Sequence, residues 1–233
     1  MSIAPVLLLL ISVLAGLLVA AIAAFSLFRG RKQLAGRLAI ALLAAFSLYL
    51  AATIGVALAS EQKVIALGGE KHICEIDCHV AYAVQEVATA AYLGPERTAV
   101  RPKGRFHVVT LRTRFDAETT SERRPEDARL YPGSRIIRVV DADGRTYDVS
   151  PEGQAALGGP PPAPDMLTRP LLPGESFTTQ LVFDLPADVR EPMLLIQDTD
   201  WTKWGLIGSE TFPLHKKALL RLTPGPGVKD VAA

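Results

Sequence analysis

Two uncharged apolar runs near the N-terminus constrain this chain more than any other feature. Residues 3–28 carry no charged side chain and are mostly Leu, Ala, Val and Ile; residues 38–60 are equally free of charge. At about 1.5 Å per helical residue, either run can cross a hydrocarbon core of roughly 30 Å. Between them, residues 29–37 hold Arg29, Arg31, Lys32 and Arg37 and no acid. Cations at membrane ends are retained on the cytoplasmic side. The expectation is a two-helix transmembrane hairpin over residues 1–60, with its loop at 29–37 in the cytoplasm. The N-terminus and everything from Glu61 onward then lie on the periplasmic or extracellular side of a bacterial inner membrane.

A cleaved signal peptide is the competing reading. The first run lacks a basic leader and is too long for a signal core. The second ends in Val56-Ala-Leu-Ala-Ser60, which resembles a small-residue cleavage site. Its apolar stretch is nevertheless longer than a usual signal core, so the intact hairpin is expected. The net charge of +1 sums unlike parts and gives no reason to expect nucleic acid as a partner.

Beyond the hairpin, residues 61–78 read as a juxtamembrane linker and residues 79–223 as a β domain. Val80, Tyr82 and Val84 alternate as a half-buried strand does. Residues 105–115 alternate too, with Val109, Leu111 and Phe115 on one face and Arg112 and Arg114 on the other. Residues 135–140 and 146–149 form a predicted hairpin, with Asp143-Gly144 at its turn. The proline-rich stretch 158–164 is a predicted loop. Further strands are predicted at 176–185, 193–197 and 218–223, and residues 224–233 read as a flexible tail. About seven strands without a long helix are the signature of a β-sandwich.

Three motifs in order carry a resemblance: Val139-Val-Asp-Ala-Asp-Gly-Arg-Thr-Tyr147, Leu172-Pro-Gly-Glu175 and Leu181-Val-Phe-Asp-Leu-Pro186. With the closing strand, they make residues 104–223 resemble an immunoglobulin-like β-sandwich family of unknown function. That family is found in bacterial extracytoplasmic proteins and lipoproteins, the mycobacterial immunoprotective-antigen type. The resemblance implies an all-β immunoglobulin-like sandwich outside the cytoplasm and brings no catalytic residues with it. This chain departs from the lipoprotein members in its helical hairpin anchor.

Both cysteines lie in His72-Ile-Cys-Glu-Ile-Asp-Cys-His79. In an oxidising compartment, a Cys74–Cys78 disulfide is the first expectation. In a strand the two Cα atoms would stand about 13 Å apart, beyond a disulfide's reach, so the bridge requires a turn there. The alternative is copper or zinc held by Cys74 and Cys78, with His79, His72 and His215, the last brought in by the fold, as candidate nitrogen ligands, or thiol redox chemistry at Cys74, Cys78 and His79. The spacing resembles the cysteine pair of the binuclear copper domain in cytochrome oxidase subunit II, but in that family the cysteines come late in the β domain and a methionine follows.

His107 is expected to be a hydrogen-bonded core or edge residue. Trp201 and Trp204 are expected to cap the end of the sandwich. The alternatives for them are contact with a protein partner, stacking on a sugar, or a place at the bilayer interface. No nucleophile elbow, phosphate loop, zinc-protease helix or paired-carboxylate motif occurs. The function expected is therefore a non-enzymatic, membrane-anchored binding or assembly module with a protein partner and no cofactor.

Overall fold

The computed structural model describes residues 4–73, 80–95, 98–117 and 129–222. The chain divides into two compact units, one made of Met1–Glu61 with Asp200–Lys216, the other of Gln62–Thr199 with Lys217–Ala233.

In the first unit, α1 (Ala4–Phe28) and α2 (Lys32–Leu58) are both long and apolar enough to cross a membrane. The turn between them is tight because Gly30 adopts φ +71. The Gly30 N–H then donates to the Leu27 carbonyl and the Arg31 N–H to the Ser26 carbonyl, satisfying carbonyls at the end of α1. The helices approach closely at Gly16, where a Cβ would lie 4.0 Å from a Leu42 methyl. α2 begins six residues before the apolar run that identified it, since Lys, Gln, Leu and Arg are good helix formers regardless of charge. Asp200–Lys216 completes this unit.

The second unit is a sandwich of two sheets. One is ordered β1 (Val64–Ile65), β9 (Leu219–Arg221), β8 (Met193–Asp198), β5 (Arg135–Val140), β6 (Thr146–Asp148). The other is ordered β2 (Lys71–Ile73), β3 (Val80–Ala90), β4 (Arg105–Phe115), β7 (Ser176–Leu185). Among the described residues, every strand pairing is antiparallel except β1 with β9. Two short strands thus occupy the region expected to be a linker. At two and three residues they are too short to show an alternating pattern.

Alternation places the core. Tyr82, Val84, Val109, Leu111, Leu181 and Phe183 from one sheet meet Ile137, Val139, Leu194, Ile196 and Leu220 from the other. A register shift between Val84 and Glu86 marks a β-bulge in β3. One extra residue reverses the side-chain parity, so that Val87 joins the main core while Ala88 and Ala90 face outward. With Phe106, Val108 and Val182 they form a second apolar cluster against Ala156 of α3 (Pro151–Ala156). Ser150 caps α3 by accepting from the Gly153 N–H at 3.1 Å, and Pro151 occupies its first turn. Gly153 is required where it stands, because a Cβ would come within 2.5 Å of Val182 Cγ1. Gln154, fully buried, donates to the Gln180 carbonyl and accepts from the Val182 N–H. The helix thereby satisfies backbone groups on β7, an edge strand whose open ladder would otherwise invite pairing.

Candidate functional site

The surroundings of the cysteine stretch were the first candidate. Cys74, Cys78 and His79 lie outside the described residues. On either side, Ile73 of β2 and Val80 of β3 are register partners. Beside them, Glu70 accepts from Arg112 at 3.0 Å and from both Nε and Nη2 of Arg114, at 2.9 and 2.7 Å. His72 Nε2 stands 3.8 Å from the same carboxylate. The hydrogen bonds from Arg114 lead in holding the Glu70 carboxyl below its usual range, against the opposing effect of its partial burial. A carboxylate held this way is a weak base, suited to bracing rather than to proton transfer.

Behind this cluster two buried cations link the sheets. Lys71, 3% exposed, donates from Nζ to the carbonyls of Ile196 and Ala218 on the facing sheet, both at 2.8 Å. Arg135, 1% exposed, reaches back from that sheet to Tyr82 Oη at 3.1 Å and stands 3.5 Å from Asp198 Oδ1. Buried charges persist only where partners answer them: Lys71 has two carbonyl acceptors, and Arg135 has the Tyr82 hydroxyl and the Asp198 carboxylate. Sequence reasoning missed them. The available signal was a cation at an apolar end of a strand, at Lys71 before His72-Ile73 and at Arg135 before Ile136-Ile137.

His107 is half-buried on β4, its Nδ1 3.3 Å from the Arg105 carbonyl, and burial pushes its pKa down. That is the edge-of-core role expected of it. His215 has Nδ1 2.7 Å from the Lys216 carbonyl and precedes β9. Among the described residues no group of three or more His, Cys, Asp or Glu could hold a metal ion.

At the β5–β6 turn, Asp141 accepts from the Asp143 and Arg145 N–H groups, from Arg145 Nε at 2.7 Å and from Tyr147 Oη at 3.1 Å. Burial opposes its ionisation, but the Arg145 hydrogen bonds and that of Tyr147 prevail and hold its pKa below the usual range. Arg145 also binds Asp188 at 2.8 Å. The "D-x-D-G-x-x-Y" motif is therefore a turn lock. Next to it, Arg101, Lys103, Tyr147, Glu152 and Asp184 contribute to an open groove of about 600 Å³.

Trp201 and Trp204 belong to the helical unit and are 72% and 47% exposed. Their 3-10 turn, Trp201–Gly205, opens at Asp200, whose carboxylate accepts from the Thr202 N–H at 2.9 Å and hydroxyl at 2.6 Å. Those bonds hold the Asp200 pKa down, the hydroxyl contributing most.

No family model matches the chain, and no curated protein matches it. Three solved structures are similar to it. The secreted protein MPT63 of Mycobacterium tuberculosis is 14% identical, with a TM-score of 0.40, over 70% of this chain and 98% of that one. A conserved hypothetical protein of Bacillus anthracis is 17% identical, with a TM-score of 0.39, over 57% of this chain and 89% of that one. An uncharacterised β-sandwich protein of Clostridium difficile is 10% identical, with a TM-score of 0.35, over 70% and 96%. The sandwich stands on its own two sheets and core.

Proposed function

We propose that this chain is a non-enzymatic, membrane-anchored binding or assembly module. The hairpin crosses a bacterial inner membrane with its basic turn in the cytoplasm. An immunoglobulin-like sandwich on the periplasmic or extracellular side contacts a protein partner. The observation that carries this reading is the contrast in apolar exposure. Leu17, Leu18, Leu43 and Phe46 on the helices are 63%, 62%, 67% and 66% exposed beside a turn rich in cations. Such a surface calls for an apolar solvent around it. The immunoglobulin-like assignment is supported by two largely antiparallel sheets that exchange strands around one core.

Protease added to intact spheroplasts tests the topology. A C-terminal tag should be removed, while a tag placed in the turn between α1 and α2 is protected; the reverse pattern would overturn the orientation. Cross-linking in intact cells, followed by purification of the full chain in detergent, tests the mode of action. One recurrent protein adduct is expected. Near-stoichiometric copper or zinc that disappears in Cys78→Ala, with no recurrent adduct, would replace this reading with metal handling by Cys74, Cys78 and His79.

A further inference from the structure

The segment Asp200–Lys216 leaves the sandwich after β8 and folds against the helices. Tyr49 Oη donates to the Gly205 carbonyl at 2.6 Å, and a Cβ at Gly205 would lie 3.4 Å from a Leu9 methyl. At that level the segment therefore meets both helices. Further along, Gly208, at φ +79, lies against Val56, where a Cβ would stand 3.8 Å from Cγ1. The Lys216 N–H then donates to Ser60 Oγ at 2.8 Å. These contacts fix the segment's height along α2. It runs from Tyr49 to just past the helix end, over the hairpin's open end and away from the basic turn.

Its composition decides what surrounds it. Asp200, Lys203 and Glu210 are costly to place in hydrocarbon. Trp201, Trp204 and Leu214, at 72%, 47% and 50% exposure, present apolar surface, and it is continuous in height with the exposed apolar side chains of α1 such as Leu7, Leu8 and Leu10. An indole with one apolar body and one donor N–H prefers the headgroup boundary, which satisfies both demands. The lengths agree. From Lys32 to Tyr49 is 17 residues, about 26 Å of helix, close to a hydrocarbon core of roughly 30 Å. The hydrocarbon would then end near Tyr49 rather than at Leu58, and Arg37 would snorkel back to the cytoplasmic face.

We propose that Asp200–Lys216 is a third membrane-contacting element, a collar around the hairpin's open end that seats Trp201 and Trp204 among lipid headgroups. This rests on the transmembrane reading of the hairpin. The collar makes the membrane anchor discontinuous in sequence, with its last part beginning at Asp200, 142 residues after α2 ends at Leu58 (200 − 58).

The chain contains two tryptophans and both are in the collar, so intrinsic tryptophan fluorescence of the full protein reports on this segment alone. The test is the full chain reconstituted in phosphatidylcholine vesicles carrying a spin label near the headgroup or deep in the acyl chain. The shallow label should quench the emission more than the deep one, and emission should be blue-shifted relative to the urea-unfolded chain. Quenching by aqueous acrylamide with none by either lipid label would overturn the collar. So would stronger quenching by the deep label, or tryptophans shielded from acrylamide and both lipid labels, as a sandwich cap or protein contact would be. Flotation of the same vesicles in alkaline carbonate separates the two readings. A chain that floats but shows no lipid quenching sinks the collar alone, whereas a chain stripped from the vesicles sinks the transmembrane hairpin and the collar with it.

Discussion

The hairpin and the sandwich handle apolar side chains in opposite ways. In the sandwich, Leu181, Phe183, Leu185, Leu194 and Ile196 are all 0% exposed, each enclosed by residues of both sheets. In the hairpin, Leu17 and Leu18 are 63% and 62% exposed, and the buried residues of α2 are the small Ala35, Thr53 and Ala57. A soluble core excludes water through its own packing. A helix pair long and apolar enough to cross a membrane packs through small residues and leaves its large ones outward. The same residue types therefore mean different things in the two regions, and substitution can tell them apart.

The widest separation is expected between Phe183→Ala and Leu18→Ala. The first removes a fully enclosed ring and should cost about 3–5 kcal/mol. The second trims a side chain facing solvent or lipid and should change stability by about 0.5 kcal/mol or less. Chemical denaturation of the detergent-purified chain, followed by far-ultraviolet circular dichroism, measures both. A loss at Leu18 comparable to that at Phe183 would break the contrast and mean that the helix face is packed against protein.

Arg135→Ala should come next, at about 1–3 kcal/mol, because buried groups lose a hydrogen-bonding partner. Asp198 is 8% exposed and the Tyr82 hydroxyl would lose its guanidinium donor, so the loss should be near that range. The hairpin offers a control in Arg37→Ala, whose cation is exposed and should leave stability unchanged.

How much of this was legible in sequence differs by region for a physical reason. The hairpin was plain because an uncharged apolar run of about 20 residues is long enough to span a bilayer and too apolar for a water-facing helix. Strands β4, β5 and β7 were read at their observed ends, because alternation over six to eleven residues is a strong signal. β1, β2 and α3 were missed: they are short, and pairing and capping define them rather than periodicity. The proposed collar was also out of reach. Its tryptophans were visible, but only contacts distant in sequence, such as Tyr49 with Gly205 and Lys216 with Ser60, show which unit they join. The ion-paired Glu70 and the buried Lys71 lay in a stretch read as linker, where a charge looks solvated until its neighbours across the sheets are known.

Acid should separate the regions again, with a smaller effect. Glu70 and Asp141 both have folded-state pKa values held down by arginine partners, against the opposing effect of burial. A depressed carboxyl contributes stability that is fully present above its unfolded pKa, about 4, and is lost as pH falls through the folded value. The β signal should therefore melt at progressively lower temperature below about pH 4. Residues 1–60 contain no Asp or Glu, so the helical signal should persist there. Glu70→Gln should flatten the acid slope. A hairpin that melts in parallel with the sheets would show that the two regions are not independent.

The smallest contrast uses one substitution in both regions. Thr113, 0% exposed, has its hydroxyl without a hydrogen-bond partner among the described residues. Thr53, 4% exposed, donates its hydroxyl to the Tyr49 carbonyl at 2.9 Å, one helical turn back. A buried hydroxyl left unpaired costs free energy that a methyl of the same shape does not, so Thr113→Val should gain about 1 kcal/mol. Thr53→Val should be near neutral, because the Tyr49 carbonyl keeps its helical N–H donor and loses only a second, weaker bond. Denaturation midpoints of the two variants read the difference directly. A loss at Thr113 would mean that its hydroxyl has a partner outside the described residues, and a large loss at Thr53 would mean that the outer part of α2 is held by side-chain bonds as the sandwich is.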